Sequence, residues 1–286
     1  MPTARVPSLG GPVDLYYEET GSGFPLIWCH EYGGDHRSWE PQVRYFSRRY
    51  RVLTWNYRGY PPSEVPKEGS AYSTEILVED LRGLMEHLGI RRAHVAGLSL
   101  GSGVTLHFGI RHPELCASLT ICGAGSGSDN PEEFAHRAAR QADQYEKEGA
   151  EAKARNFAAN PARQGFARKD PRGHAEAMRN ILDHSGVGSA LMARGLQMKR
   201  KTIYQLEAEL KTIAAPALIV VGDQDEGCLR PGLFMKQHIP HAGLAVLPMT
   251  GHLVNVEEPA LFNQTVAEFL TSVENGRWGT WKGGSR

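Results

Sequence analysis

No stretch of this 286-residue chain stays apolar for the ~18–20 residues that a membrane span requires. The opening text, MPTARVPSLGGPVDLYYEE, lacks the apolar core of a secretory signal, so a cytoplasmic protein is expected. Neither sign of charge is in excess. The 32 Lys and Arg balance 32 Asp and Glu, which argues against a nucleic-acid or anionic-membrane partner. The one compact basic run, Lys199–Arg200–Lys201, reads as a solvated helix face. Cysteine is scarce and scattered. Cys29, Cys116, Cys122 and Cys228 show no C-x-x-C spacing, so reduced thiols are expected rather than a disulfide framework or a zinc site. No internal repeat is present either.

What remains is a soluble globular composition, 41% apolar and 22% charged. Short runs rich in β-branched or aromatic residues predict strands over 13–18, 25–30, 51–57, 93–98, 118–123, 216–222 and 244–248. The later runs are almost continuously apolar, the pattern of parallel strands covered on both faces. Helical periodicity separates them. Leu77, Leu81, Leu84 and Leu88 form one stripe over 74–88, with Ser73 or Thr74 as cap and Gly89 just past the end. Phe262, Val266, Phe269 and Val273 form another. Strands alternating with helices predict an α/β fold with a mostly parallel, doubly wound sheet.

The alternation breaks once. Residues 126–211 hold only Ala-, Glu-, Arg- and Lys-rich helical text. The predicted organisation is a core of 1–125 and 212–286 with a helical cap inserted at 126–211. The C-terminal text NGRWGTWKGGSR adds Trp278 and Trp281, which are free to pack on the body.

The text HVAGLSLGSG contains G-x-S-x-G, with Ser99 between Gly97 and Gly101. A predicted strand precedes it and a helical pattern follows. This is the context of a nucleophile elbow, where a sharp turn presents the serine above a sheet. Flanking glycines are needed because side chains there would strike the neighbouring strand and helix. A serine hydroxyl also needs a base. Of twelve histidines, His252 alone sits in a loop between a predicted late strand and the final helix. The base needs an acid to hold its tautomer. GDQDE offers Asp223, Asp225 and Glu226; Asp225 is favoured over Asp223, whose place directly after the strand suits a turn-shaping role, and both Asp223 and Glu226 remain competitors. Oxyanion donors are expected from the backbone N–H of Leu100 and of Tyr32, in the text HEYGG. His30, Glu31 and Gly33 of that loop are candidate substrate contacts.

From about residue 12 to 273 the chain resembles the α/β-hydrolase superfamily, in its branch with a helical cap. The matching text is HEYGGDHRSWEPQVRYFSRRYRVLTWNYRGYPPSEVP, GLSLGSG, GDQDE and MTGH. The order Ser99, Asp225, His252 is the order that family uses. The resemblance implies a serine hydrolase acting on a small or medium carboxylic ester or lactone, with no metal or organic cofactor. Serine at the elbow sets it apart from relatives that carry aspartate there, the haloalkane dehalogenases and epoxide hydrolases. A carbon–carbon hydrolase of aromatic ring-cleavage products and a ligand receptor with a slow triad are the alternatives. Two departures stand out. The family's loop usually reads His-Gly where this chain has His30-Glu31; such a glutamate can be neutralised by Arg37 or by a proton, or face outward. Asn56 and Pro61 replace the usual Asp and Gly, in a segment where Arg58 is expected to serve local structure.

Overall fold

Alternation along β1 (Thr3–Val6) and the first half of β2 (Val13–Thr20) buries one face and exposes the other. They pair antiparallel at the sheet edge, as such half-buried strands do. β3 (Phe24–Cys29), β4 (Tyr50–Trp55), β5 (Ala93–Leu98), β6 (Cys116–Cys122), β7 (Ala217–Gly222) and β8 (Ala242–Leu247) complete an eight-stranded sheet. Its order is β1-β2-β4-β3-β5-β6-β7-β8, parallel from β4 onward. This computed structural model describes residues 2–279.

Every residue of β5, β6 and β7 is buried, because helices cover both faces. The period-two geometry of a strand divides them between two cores. Ile27 and Cys29 join one core with Leu77, Leu81 and Phe108; Leu26 and Trp28 join the other with Trp39, Phe46 and Phe262. The covering helices include α1 (Glu40–Phe46), α2 (Thr74–His87) and α3 (Leu100–Arg111). Ser73 caps α2 by accepting from Ile76 N–H. Arg58 is fully buried and bidentate on Asp80, with Nε–Oδ2 2.7 Å and Nη2–Oδ1 2.6 Å. That pair ties the loop after β4 to α2.

Between β6 and β7 the chain leaves the sheet for α4 (Pro131–Ala159), α5 (Gln164–Lys169), α6 (Pro171–Ile181), α7 (Gly186–Met192) and α8 (Glu207–Leu210). α4 breaks at Gly149, whose φ of 74° and ψ of −155° lie outside the helical region. The chain then returns through β7, α9 (Glu226–His238), β8, α10 (Val254–Glu257) and α11 (Pro259–Glu274). Trp278 packs on the body: its Nε1–H donates to the His241 carbonyl at 2.8 Å and its ring meets Phe269 edge-on. Trp281 lies outside the described residues. Among the described residues no helix is long and apolar enough to cross a membrane. All four cysteines are buried and unpaired.

Candidate active site

β5 stops at Leu98 and α3 starts at Leu100, so Ser99 carries the whole reversal. Its φ of 56° and ψ of −110° are a strained conformation for a residue with a Cβ. The turn closes only because its neighbours are small. A Cβ on Gly97 would stand 2.2 Å from the Gly101 carbonyl oxygen, and one on Gly101 2.0 Å from that of Cys29. Gly103, by contrast, faces open space. Ser99 N–H donates to the Cys122 carbonyl at 2.9 Å, which locks the turn to β6.

Asp225 follows β7 in a turn closed by its own N–H on the Gly222 carbonyl, 3.1 Å. It is 5% exposed, and its Oδ2 lies 2.6 Å from His252 Nδ1. A carboxylate can only accept, so Nδ1 carries the proton and Nε2 is the free base nitrogen. The other two acids do not reach the histidine. Asp223 is exposed and accepts from Thr250 N–H at 3.1 Å, joining the loops after β7 and β8; Glu226 is exposed in the first turn of α9. Burial opposes charge on both members of the Asp225–His252 pair. Mutual attraction outweighs it, lowering Asp225 and raising His252 well above the usual imidazole range.

Ser99, Asp225 and His252 share one cavity of about 540 Å³ with Tyr32 and Gly33. The inserted helices close its other side with Phe134, Tyr145, Lys153, Phe157 and Arg163. His252 N–H donates to the carbonyl of Ala162 in that insertion, 2.9 Å away. Cys228 adjoins the pair. The ligand atoms of Asp225, Cys228 and His252 lie within 4.8 Å of one another, the one grouping among the described residues with metal-ligand character. Two of those atoms are already committed to the 2.6 Å hydrogen bond.

The model of a family described as the alpha/beta hydrolase fold matches residues 25–259. The chain belongs to this family. It is 27% identical over 251 residues to 3-oxoadipate enol-lactonase 1 of Acinetobacter baylyi, covering 87% of this chain and 89% of that one. Among solved structures it is similar to an enol-lactonase from Burkholderia xenovorans, with TM-score 0.82, 27% identity and coverage of 94% and 100%. It is also similar to a thermophilic esterase from Thermogutta terrifontis, with TM-score 0.85, 25% identity and coverage of 96% and 99%.

Within this α/β-hydrolase frame, the loop after β3 departs from expectation. His30 is not a cavity residue. It is fully buried, its Nδ1–H donates to the Glu31 carbonyl at 2.7 Å, and its ring lies 4.0 Å from that of Tyr57. Burial holds it neutral, with a pKa lowered to about 3. Glu31 is 3% exposed and faces a second cavity of about 450 Å³ rather than the one holding Ser99. Its partner is not Arg37, which grips Asp35 and Asp183 instead. Glu31 pairs with Arg163 of the insertion, whose guanidinium also stacks on Phe157. Gly33 lies under that guanidinium; a Cβ there would stand 2.9 Å from Nη2. The side chain of Tyr32 donates from its hydroxyl to the Ser189 carbonyl at 2.7 Å, and its own carbonyl accepts from Tyr60. The insertion thus holds this loop at Glu31 and Tyr32.

Breaking the Glu31–Arg163 pair is expected to loosen this loop without removing any acid–base group. Glu31→Gln should lower kcat/KM about tenfold, and a double-mutant cycle with Arg163→Met should return a coupling of ~1–3 kcal/mol. Steady-state kinetics on the four proteins would check it.

Sequence reasoning missed several residues that line or support the cavity. The basic run at 199–201 is not a solvated helix face: Arg200 lines the cavity, stacks on Phe134 at 4.2 Å and donates to the Ser126 carbonyl. Glu257 Oε2 accepts from Gly251 N–H at 2.9 Å, setting the loop that carries His252. Lys153 had a legible signal. It falls between Ala150, Ala154 and Phe157, on the buried stripe of α4, where a lysine is out of place.

Proposed function

We propose that this α/β-hydrolase cleaves a small or medium carboxylic ester or lactone through an acyl-enzyme on Ser99, a reaction of the carboxylesterase type. The observation that carries this reading is the strained turn presenting Ser99 in the cavity shared with the hydrogen-bonded His252–Asp225 pair. His252 Nε2 takes the Oγ proton as Oγ attacks the carbonyl carbon. The backbone N–H of Leu100, one of those at a helix start with no intrahelical acceptor, and that of Tyr32 hold the oxyanion. The imidazolium then protonates the leaving alkoxide. Water attacks the ester in turn, losing its proton to Nε2, and Ser99 leaves with that proton restored. None of these steps calls for a metal or an organic cofactor. The inserted helices of 126–211 act as the cap that selects the substrate.

The enol-lactonase and esterase relatives support ester or lactone cleavage. The pairing of Glu31 with Arg163 supports it too, since the glutamate is neutralised and turned from Ser99. The test is a panel of p-nitrophenyl esters and lactones, combined with labelling by a fluorophosphonate and mass spectrometry. Turnover of at least one ester or lactone and a single adduct on Ser99 are expected. Labelling elsewhere, or no turnover across the panel, would overturn the reading.

A further inference from the structure

α4 places a lysine where its helix should be apolar. Lys153 is 2% exposed and lines the Ser99 cavity. Its Nζ donates to Ser189 Oγ at 2.9 Å and sits over two phenol rings, 4.8 Å from the centroid of Tyr32 and 4.5 Å from that of Tyr60. No described carboxylate is within ion-pair distance. The two acids that act on it through space are engaged elsewhere: Glu31 by Arg163, and Asp35 by Arg37 and by the His184 imidazole N–H. Taking an ammonium out of water without a counter-ion costs several kcal/mol. Methionine would fill the same slot on the stripe at no such cost. The cation is therefore not explained by packing.

The rest of the cavity points the same way. Arg200 also lines it and pairs with no described carboxylate; its contacts are the Ser126 carbonyl and the Phe134 ring. Of the acids on the lining, Asp225 is held by His252, and Asp129 and Glu133 are exposed and already bonded to Tyr204 and Asn130. With Asp225 paired to His252, the charge left unmatched inside is positive, and this makes the interior a site for an anion.

We propose that the cavity takes an ester or lactone bearing a carboxylate remote from the scissile carbonyl, and that the Lys153 ammonium is the counter-ion of that carboxylate. The substrate class rests on the hydrolase reading of Ser99; the anion site itself does not. Burial lowers Lys153 to a pKa of about 7, so the side chain is shared between amine and ammonium near neutral pH, and an arriving carboxylate would hold it as ammonium. The phenol rings that carry the ammonium belong to the loop after β3 and to its neighbour after β4.

The experiment compares kcat/KM for mono-p-nitrophenyl glutarate, an anion, with that for its neutral methyl ester. The wild-type protein should prefer the anion about tenfold or more. Lys153→Met should cut turnover of the anionic ester by ~10–100-fold, the size of a charged hydrogen bond, and of the neutral ester far less. An equal loss on both esters would make Lys153 a structural bridge and overturn the proposal. So would loss of the preference in Arg200→Met but not in Lys153→Met. Ser99-dependent turnover with no preference would overturn the proposal and leave the hydrolase reading standing. Should neither ester turn over, calorimetry with glutarate on the Ser99→Ala protein decides the anion site alone. Binding that Lys153→Met abolishes supports it; no binding overturns it.

Discussion

Ser99→Ala should lower turnover of a p-nitrophenyl ester by roughly 10⁵–10⁶-fold and leave the fold intact. The two halves of this expectation have separate causes. Ser99 makes no capping hydrogen bond through its side chain, so removing Oγ breaks no structural contact at the head of α3. The backbone strain at φ 56° falls on any residue with a Cβ, and alanine keeps the shape that serine had. Circular dichroism and thermal unfolding should therefore match the wild-type protein. Catalysis loses its nucleophile while His252, Asp225 and the amide donors stay in place. Because these groups work as a unit, Ser99→Ala combined with His252→Ala should lose little more than either change alone. Equal rates for wild-type and Ser99→Ala proteins would remove the serine from the chemistry.

The parts of this site that were legible in the sequence are those fixed locally. Residues 93–98 match β5 to the residue because a run that is apolar except at His94, and buried on both faces, ends at a glycine-framed serine. The caps of α2 were legible for the same reason: Ser73 and Gly89 act within a turn of the helix they bound. β1 was not. Its four residues, TARV, become a strand only by pairing with β2, and nothing in so short a text demands it. The acid was narrowed to three candidates by position, but only the path of the turn sends Asp225 inward and Asp223 to Thr250. The partner of Glu31 was illegible because Arg163 lies 132 residues away in the insertion. Arg200 misled for a similar reason: a basic triplet looks solvated until a fold puts its middle member against Phe134. Helical text announces helices, but it does not say which side chain a helix delivers to a cavity formed with another layer.

Asp225→Asn should lower kcat by ~10³–10⁴-fold, whereas Asp223→Asn should cost only a few-fold. Asp223 is a turn acceptor for Thr250 N–H, and asparagine keeps an acceptor oxygen there. At Asp225 the same change turns an acceptor into a group that can donate. His252 would then place its proton on Nε2, the nitrogen that must be bare to receive the proton of Ser99. The pH profile separates this from general damage. Burial alone would lower His252; the Asp225 carboxylate outweighs it and raises the imidazole well above its ordinary 6.5. The base form exists only above that raised value, so the acidic limb of kcat/KM for the wild-type protein should lie above pH 6.5. Asp225→Asn removes the charge that raises it and leaves burial unopposed. The limb should therefore move to lower pH even as the plateau falls. A misfolded or loosened site would lose the plateau without that displacement, and a larger loss in Asp223→Asn would transfer the acid's role to the other aspartate.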